Sequence, residues 1–78
     1  MVLYGRDGCH LCDEARAEIE AIRADRGFEV REVDIERDEA LHARYLERIP
    51  VVELDGEVVS ELAFEPARLL VRLDTVPR

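Results

Sequence analysis

Val2-Leu3-Tyr4-Gly5-Arg6-Asp7-Gly8-Cys9-His10-Leu11-Cys12 joins an apolar run, a glycine-bounded turn and two cysteines three positions apart. Val2 to Tyr4 has the β-branched, aliphatic and aromatic content of a short buried strand, and Gly5 bounds it. After Gly8 the period changes. Leu11, Ala15, Ile19 and Ile22 recur at helical spacing, with Asp, Glu and Arg between them. The spacing predicts a helix from Cys9 or His10 to about Asp25, stopped by Gly27. The cysteines therefore stand at a strand-to-helix junction, the arrangement that two-thiol redox chemistry requires.

Working outward, Phe28, Val30, Val33 and Ile35 read as a second strand, at an edge or with one face half exposed. Asp38 is an expected N-cap for a second helix, with Leu41 and Tyr45 as an i, i+4 pair on its inner face. Ile49-Pro50 ends that helix, because proline disfavours helical geometry in the residue before it. Val51, Val52 and Leu54 make a third strand, Asp55-Gly56 a two-residue hairpin turn, and Glu57 to Ser60 the returning strand. Glu65-Pro66 opens a last helix with Pro at its first position, and Leu69, Leu70 and Leu73 face inward. The tail from Thr75 to Arg78 is expected to fray. The order is β-α-β-α-β-β-α over residues 1–78 as a single domain. The first βαβ unit should be parallel and right-handed, with helices on both faces of a four-stranded mixed sheet.

A chain of 78 residues is near the lower end for an independent fold. The formal net charge of -8 disfavours nucleic acid and anionic membrane, both of which need a basic surface. No stretch approaches the roughly 20 apolar residues of a membrane span, and no basic region followed by a long apolar run marks a signal peptide. A cytoplasmic setting is the expectation, where thiols are kept mostly reduced and a lone C-x-x-C serves redox or metal chemistry.

The run Leu3 to Ala15 closely resembles small bacterial glutaredoxin-like proteins with a C-H-L-C site. A strand, C-x-x-C at a helix start, X-Pro before a hairpin and a final helix together resemble the thioredoxin fold, in its short glutaredoxin branch. The resemblance covers nearly the whole chain and implies a thioredoxin-like (glutaredoxin-like) α/β fold. It also implies thiol–disulfide oxidoreduction. Cys9 then matches the nucleophilic cysteine and Cys12 the resolving one. Arg6 stands where glutaredoxins usually carry a lysine. Pro50 matches their cis-proline, and the Ile49 backbone would offer strand-like hydrogen bonds to a bound thiol peptide. Ile49-Pro50 and the turn Arg6 to Gly8 are the expected docking groove. Two departures stand out. Arg48 replaces the usual threonine two residues before the proline, and Ser60-Glu61-Leu62-Ala63 replaces a Gly-Gly pair and Asp that hold glutathione.

A cysteine at a helix N-terminus faces unpaired N–H groups and the positive end of the helix dipole, which favour thiolate. Arg6 adds a positive charge nearby, while Asp7, Asp13 and Glu14 oppose it. Cys12, one turn on, is expected to be the more buried thiol. His10 is a candidate for tuning the thiolate or contacting substrate; its plainer reading is an exposed residue at a helix start. His42 and Glu53 read as surface. Cys9, His10 and Cys12 are also soft metal ligands, but the chain offers no second C-x-x-C and only His42 as a distant partner. The rival readings are an iron–sulfur or metal carrier using the same cysteines, and an interaction domain without catalysis. The expected partners are protein disulfides or low-molecular-weight thiols and a reductase. No prosthetic group is needed, glutathione is a candidate co-substrate, and a monomer suffices.

Overall fold

The computed structural model describes residues 1–75. Its elements are β1 (Val2–Gly5), α1 (His10–Arg26), β2 (Arg31–Asp34), a 3-10 turn (Ile35–Arg37), α2 (Glu39–Tyr45), β3 (Val51–Leu54), β4 (Glu57–Ser60) and α3 (Pro66–Thr75). The sheet runs β2-β1-β3-β4. β1 and β2 are parallel, joined through α1; β1 and β3, and β3 and β4, are antiparallel. The expected β-α-β-α-β-β-α order is the observed one.

Alternation along the strands builds two cores. Leu3 and Val52 are register partners and point to one face, where Ala15 and Ile19 of α1 and Leu69 of α3 cover them. Tyr4 and Val51 are the next pair and point to the other face, against Ile35, Tyr45 and Ile49. The Tyr4 and Tyr45 rings lie 4.9 Å apart between centroids. Each aliphatic side chain removed from water this completely contributes about 1.5–3 kcal/mol.

Local signals end the elements where expected. Gly27 caps α1 in a left-handed conformation, its N–H donating to the Arg23 carbonyl at 2.8 Å. Asp38 caps α2 by accepting from the Ala40 and Leu41 N–H groups at 2.9 and 3.2 Å. Asp55 (φ 53°) and Gly56 (φ 82°) both take positive φ, the requirement of the tightest hairpin turn.

Three expectations change. Leu11 is 45% exposed, and Cys12 takes the inward position on α1 with Ala15 and Ile19. Phe28 and Val30 precede β2, and Ile35 follows it, because β2 extends only as far as its four-residue pairing with β1. Phe28 and Val30 still pack on the first core as irregular chain. Glu53 and His42 are half-buried and not surface residues. Glu53 shares the Tyr4 face of the sheet, since it pairs with Val2 two residues from Tyr4. Of the tail expected to fray, Thr75 closes α3 and the remainder lies outside the described residues.

Candidate functional site

The chain leaves β1 at Gly5, turns through residues 6–8 and enters α1 with Cys9 as N-cap. Cys9 has extended backbone geometry, and its carbonyl accepts the first helical bond, from the Asp13 N–H at 3.1 Å. Its Sγ accepts the Cys12 N–H at 3.1 Å, the place a serine or aspartate oxygen fills in other helices. The sulfur of Cys9 thus occupies the one spot where unpaired helix N–H groups converge.

Cys9 and Cys12 are joined as a disulfide, with their Cα atoms 5.2 Å apart. They differ sharply in access. Cys12 is 1% exposed and belongs to the second core with Ile35, Tyr45, Ile49 and Val51, whereas Cys9 is half-buried at its border. Gly5 makes this burial fit. A Cβ at that position would lie 3.0 Å from Cys12 Sγ, tighter than nine in ten real Cβ contacts.

Ile49 is 8% exposed in the same cluster as Cys12, and its bond to the buried Pro50 is cis. The Ile49 N–H donates to the Tyr45 carbonyl at 3.0 Å. The Ile49 N–H is thus engaged within the chain itself.

The two polar candidates stand outside this cluster. Arg6 is exposed, with its Nη1 3.5 Å from Glu36 Oε1, so a carboxylate already faces its charge. It shares with Cys12 a groove of about 590 Å³, whose lining balances Arg6, Arg16, Arg31 and Arg37 against four carboxylates. Arg16 itself bonds Asp13 and Glu32, tying α1 to β2. His10 projects into solvent with its side chain 87% exposed and Nε2 3.5 Å from Glu14. On the sheet face beneath, burial first and the Glu53 carboxylate second push the Tyr4 phenol above its usual pKa.

Sequence reasoning marked Ser60 to Ala63, between β4 and α3, only as a departure from the glutathione-holding pattern and missed its contacts. The Leu62 N–H donates to the Arg48 carbonyl at 2.9 Å, and Arg48 pairs with Glu61 at 3.7 Å. Ser60 is buried; its hydroxyl donates to the Ala63 carbonyl and accepts from the Glu65 N–H. No local signal marks the two contacts with Arg48, because they join residues that become neighbours only when the sheet closes; the two Ser60 bonds are local to the loop. Among the described residues, no three His, Cys, Asp or Glu side chains gather as a metal-binding group. Nor is any described helix long and apolar enough to cross a membrane.

The sequence pattern of one family, described as Glutaredoxin-like domain (DUF836), matches residues 1–74. The X-ray structure of the structural genomics target protein XcR50 from X. campestris is 38% identical. That match covers 97% of this chain and 97% of that one, with a TM-score of 0.72. The solution NMR structure of protein Ne2328 from Nitrosomonas europaea is 27% identical over 91% of this chain and 86% of its own, with a TM-score of 0.81. No curated protein sequence matches. With the observed topology, these neighbours give a thioredoxin-like fold.

Proposed function

Because the chain belongs to the glutaredoxin-like domain family, we propose that it is a thiol–disulfide oxidoreductase working through Cys9 and Cys12. The observation that carries this reading is the asymmetry of the pair. One sulfur sits half-exposed at a helix N-terminus and accepts an N–H, and the other is buried within bonding reach of it.

In the reduced protein the Cys9 thiolate is favoured by the helix N–H groups that its sulfur already meets. It attacks one sulfur of a substrate disulfide. A Cys9–substrate bond forms, the substrate S–S bond breaks, and the departing thiolate takes a proton from solvent. Cys12 then loses its proton and attacks Cys9 Sγ, expelling the second substrate thiolate. The substrate gains two electrons and two protons, and the protein is left as the Cys9–Cys12 disulfide. A thiol reductant returns it to the dithiol. The buried Pro50 fixes the Ile49 backbone beside the Cys12 cluster, and the Ile49 carbonyl accepts an N–H from the substrate chain. Arg6 acts weakly on the thiolate, because Glu36 offsets its charge.

The test is equilibration of the chain in glutathione redox buffers, read by mass spectrometry, with a Cys12→Ser variant in parallel. The expected result is a reversible intramolecular disulfide with a potential between about -180 and -270 mV. The variant should trap a mixed disulfide at Cys9. Cysteines that stay reduced throughout, or a variant that traps nothing, would remove the redox reading.

A further inference from the structure

Leu62 is a non-glycine residue in the left-handed region (φ 63°), and its side chain is 52% exposed. A leucine in that conformation is a true outlier, and it persists only where its surroundings hold it. Those surroundings are the Arg48 carbonyl, which accepts its N–H, and the buried Ser60 hydroxyl, which ties the loop at Ala63 and Glu65. Folding gains nothing from an apolar side chain held in this way and left in water. The residue after Arg48 is Ile49, which packs in one cluster with Cys12 and borders Cys9. Leu46 is also exposed, and a third exposed leucine, Leu11, lies between the two cysteines. One exposed leucine thus lies between the cysteines, and another stands on the loop that bonds the residue before Ile49.

The charge around them is net negative. Segments 6–14, 46–50 and 61–63 carry five carboxylates and two guanidinium groups. Both guanidiniums already face carboxylates, Arg6 with Glu36 and Arg48 with Glu61. The whole chain is at -8. An approaching anion meets repulsion here, and a cation is drawn in. Glutathione, with two carboxylates and one ammonium, is a net anion.

We infer that the site's substrates are polypeptide disulfides with an apolar residue beside the reacting cysteine and basic residues around it, in preference to small anionic disulfides such as glutathione's. This rests on the exchange reading above and specifies its substrate class. Leu62 and Leu11 meet the apolar residue, and the acidic rim steers the basic ones. The chemistry is unchanged: the substrate S–S bond breaks, the Cys9–substrate bond forms, and the other thiolate departs.

The experiment uses the Cys12→Ser chain and four probes, each a mixed disulfide with the same chromophoric leaving thiol. One is a pentapeptide with leucines beside its cysteine and arginines outside. A second has glycines for the leucines, a third glutamates for the arginines, and the fourth is glutathione. Release of the leaving thiol gives the rate, referred to the rate of free cysteine with the same probe. The leucine–arginine probe should react at least about tenfold faster than the glutathione one at low salt. Its lead over the glutamate probe should shrink as salt is added. Leu62→Gly suits the backbone conformation and should fold. It should lower the leucine-to-glycine rate ratio by about threefold, the order expected from losing partial burial of one or two methylene groups. Leu11→Ser should lower the same ratio from the helix side. A glutathione probe that reacts as fast as the peptides, or a ratio unmoved in both variants, overturns the preference while leaving the exchange chemistry standing. Failure of every probe to react faster than with free cysteine overturns both.

Discussion

Replacing Gly5 with alanine tests how closely β1 holds the buried cysteine. The added Cβ would lie 3.0 Å from Cys12 Sγ and 3.3 Å from Cys12 Cβ. Cys12 is 1% exposed and sits in the first turn of α1, so it cannot yield without moving the helix or its neighbours in the second core. Two effects oppose. Overpacking a filled site costs roughly 1–3 kcal/mol. Alanine also narrows the unfolded ensemble, which returns roughly 0.4–1 kcal/mol where the backbone is compatible. The expected net is a loss of about 1 kcal/mol. Removing the sulfur of Cys12 takes away the closer contact and leaves the one to its Cβ at 3.3 Å. In a Cys12→Ala background, Gly5→Ala should therefore cost clearly less, with a coupling of up to about 1 kcal/mol. The assay is urea unfolding of the four proteins under reducing conditions, so that none holds a disulfide. If Gly5→Ala is as stable as the parent, or if the two changes simply add, the close approach does not hold Cys12 in place and the reasoning fails.

Other outcomes follow from the same geometry. Asp38→Ala removes the acceptor of two N–H groups at the start of α2 and should cost about 1 kcal/mol, read as a lower urea midpoint. Tyr4 has a folded pKa raised above the unfolded value near 10. Its stabilising contribution is therefore complete below that value and is lost as pH rises through the folded pKa. The urea midpoint of the oxidised protein should fall in this alkaline window, and Tyr4→Phe should flatten that part of the fall. In the reduced protein, a short pulse of iodoacetamide should label Cys9 before Cys12, read by peptide mass spectrometry; equal labelling would contradict the burial of Cys12. Arg16→Ala breaks exposed pairs to Asp13 and Glu32 and should cost under about 1 kcal/mol, less in high salt.

Much of the fold was legible because its signals are local. Gly27, Asp38, Asp55-Gly56 and Glu65-Pro66 each mark an element end through their own backbone or hydrogen-bonding chemistry, and each end lies where it was expected. The dithiol was equally plain, since Cys9 and Cys12 need only a helix start to bring their sulfurs together. The cis geometry of Pro50 came from family resemblance and not from its own residues. Leu11 was misread for a definable reason. Leu11 and Cys12 differ by about 100° around α1, and hydropathy alone prefers the leucine inside. The cluster of Ile35, Tyr45, Ile49 and Val51 selects the cysteine. Phe28 and Val30 have the composition of a strand, yet precede the four residues of β2 that pair with β1.

By itself, the sequence determined the succession of strands and helices, the turn types between them and the presence of two thiols one helical turn apart. These depend on residues within a few positions of one another. The tertiary structure alone decided that Glu36 faces Arg6, that Glu53 shares a sheet face with Tyr4, and that a loop anchored at Arg48 holds Leu62 out in a left-handed turn. These join segments far apart in the chain. Their energies exist only after the sheet has brought the segments together, so no local pattern of residues records them.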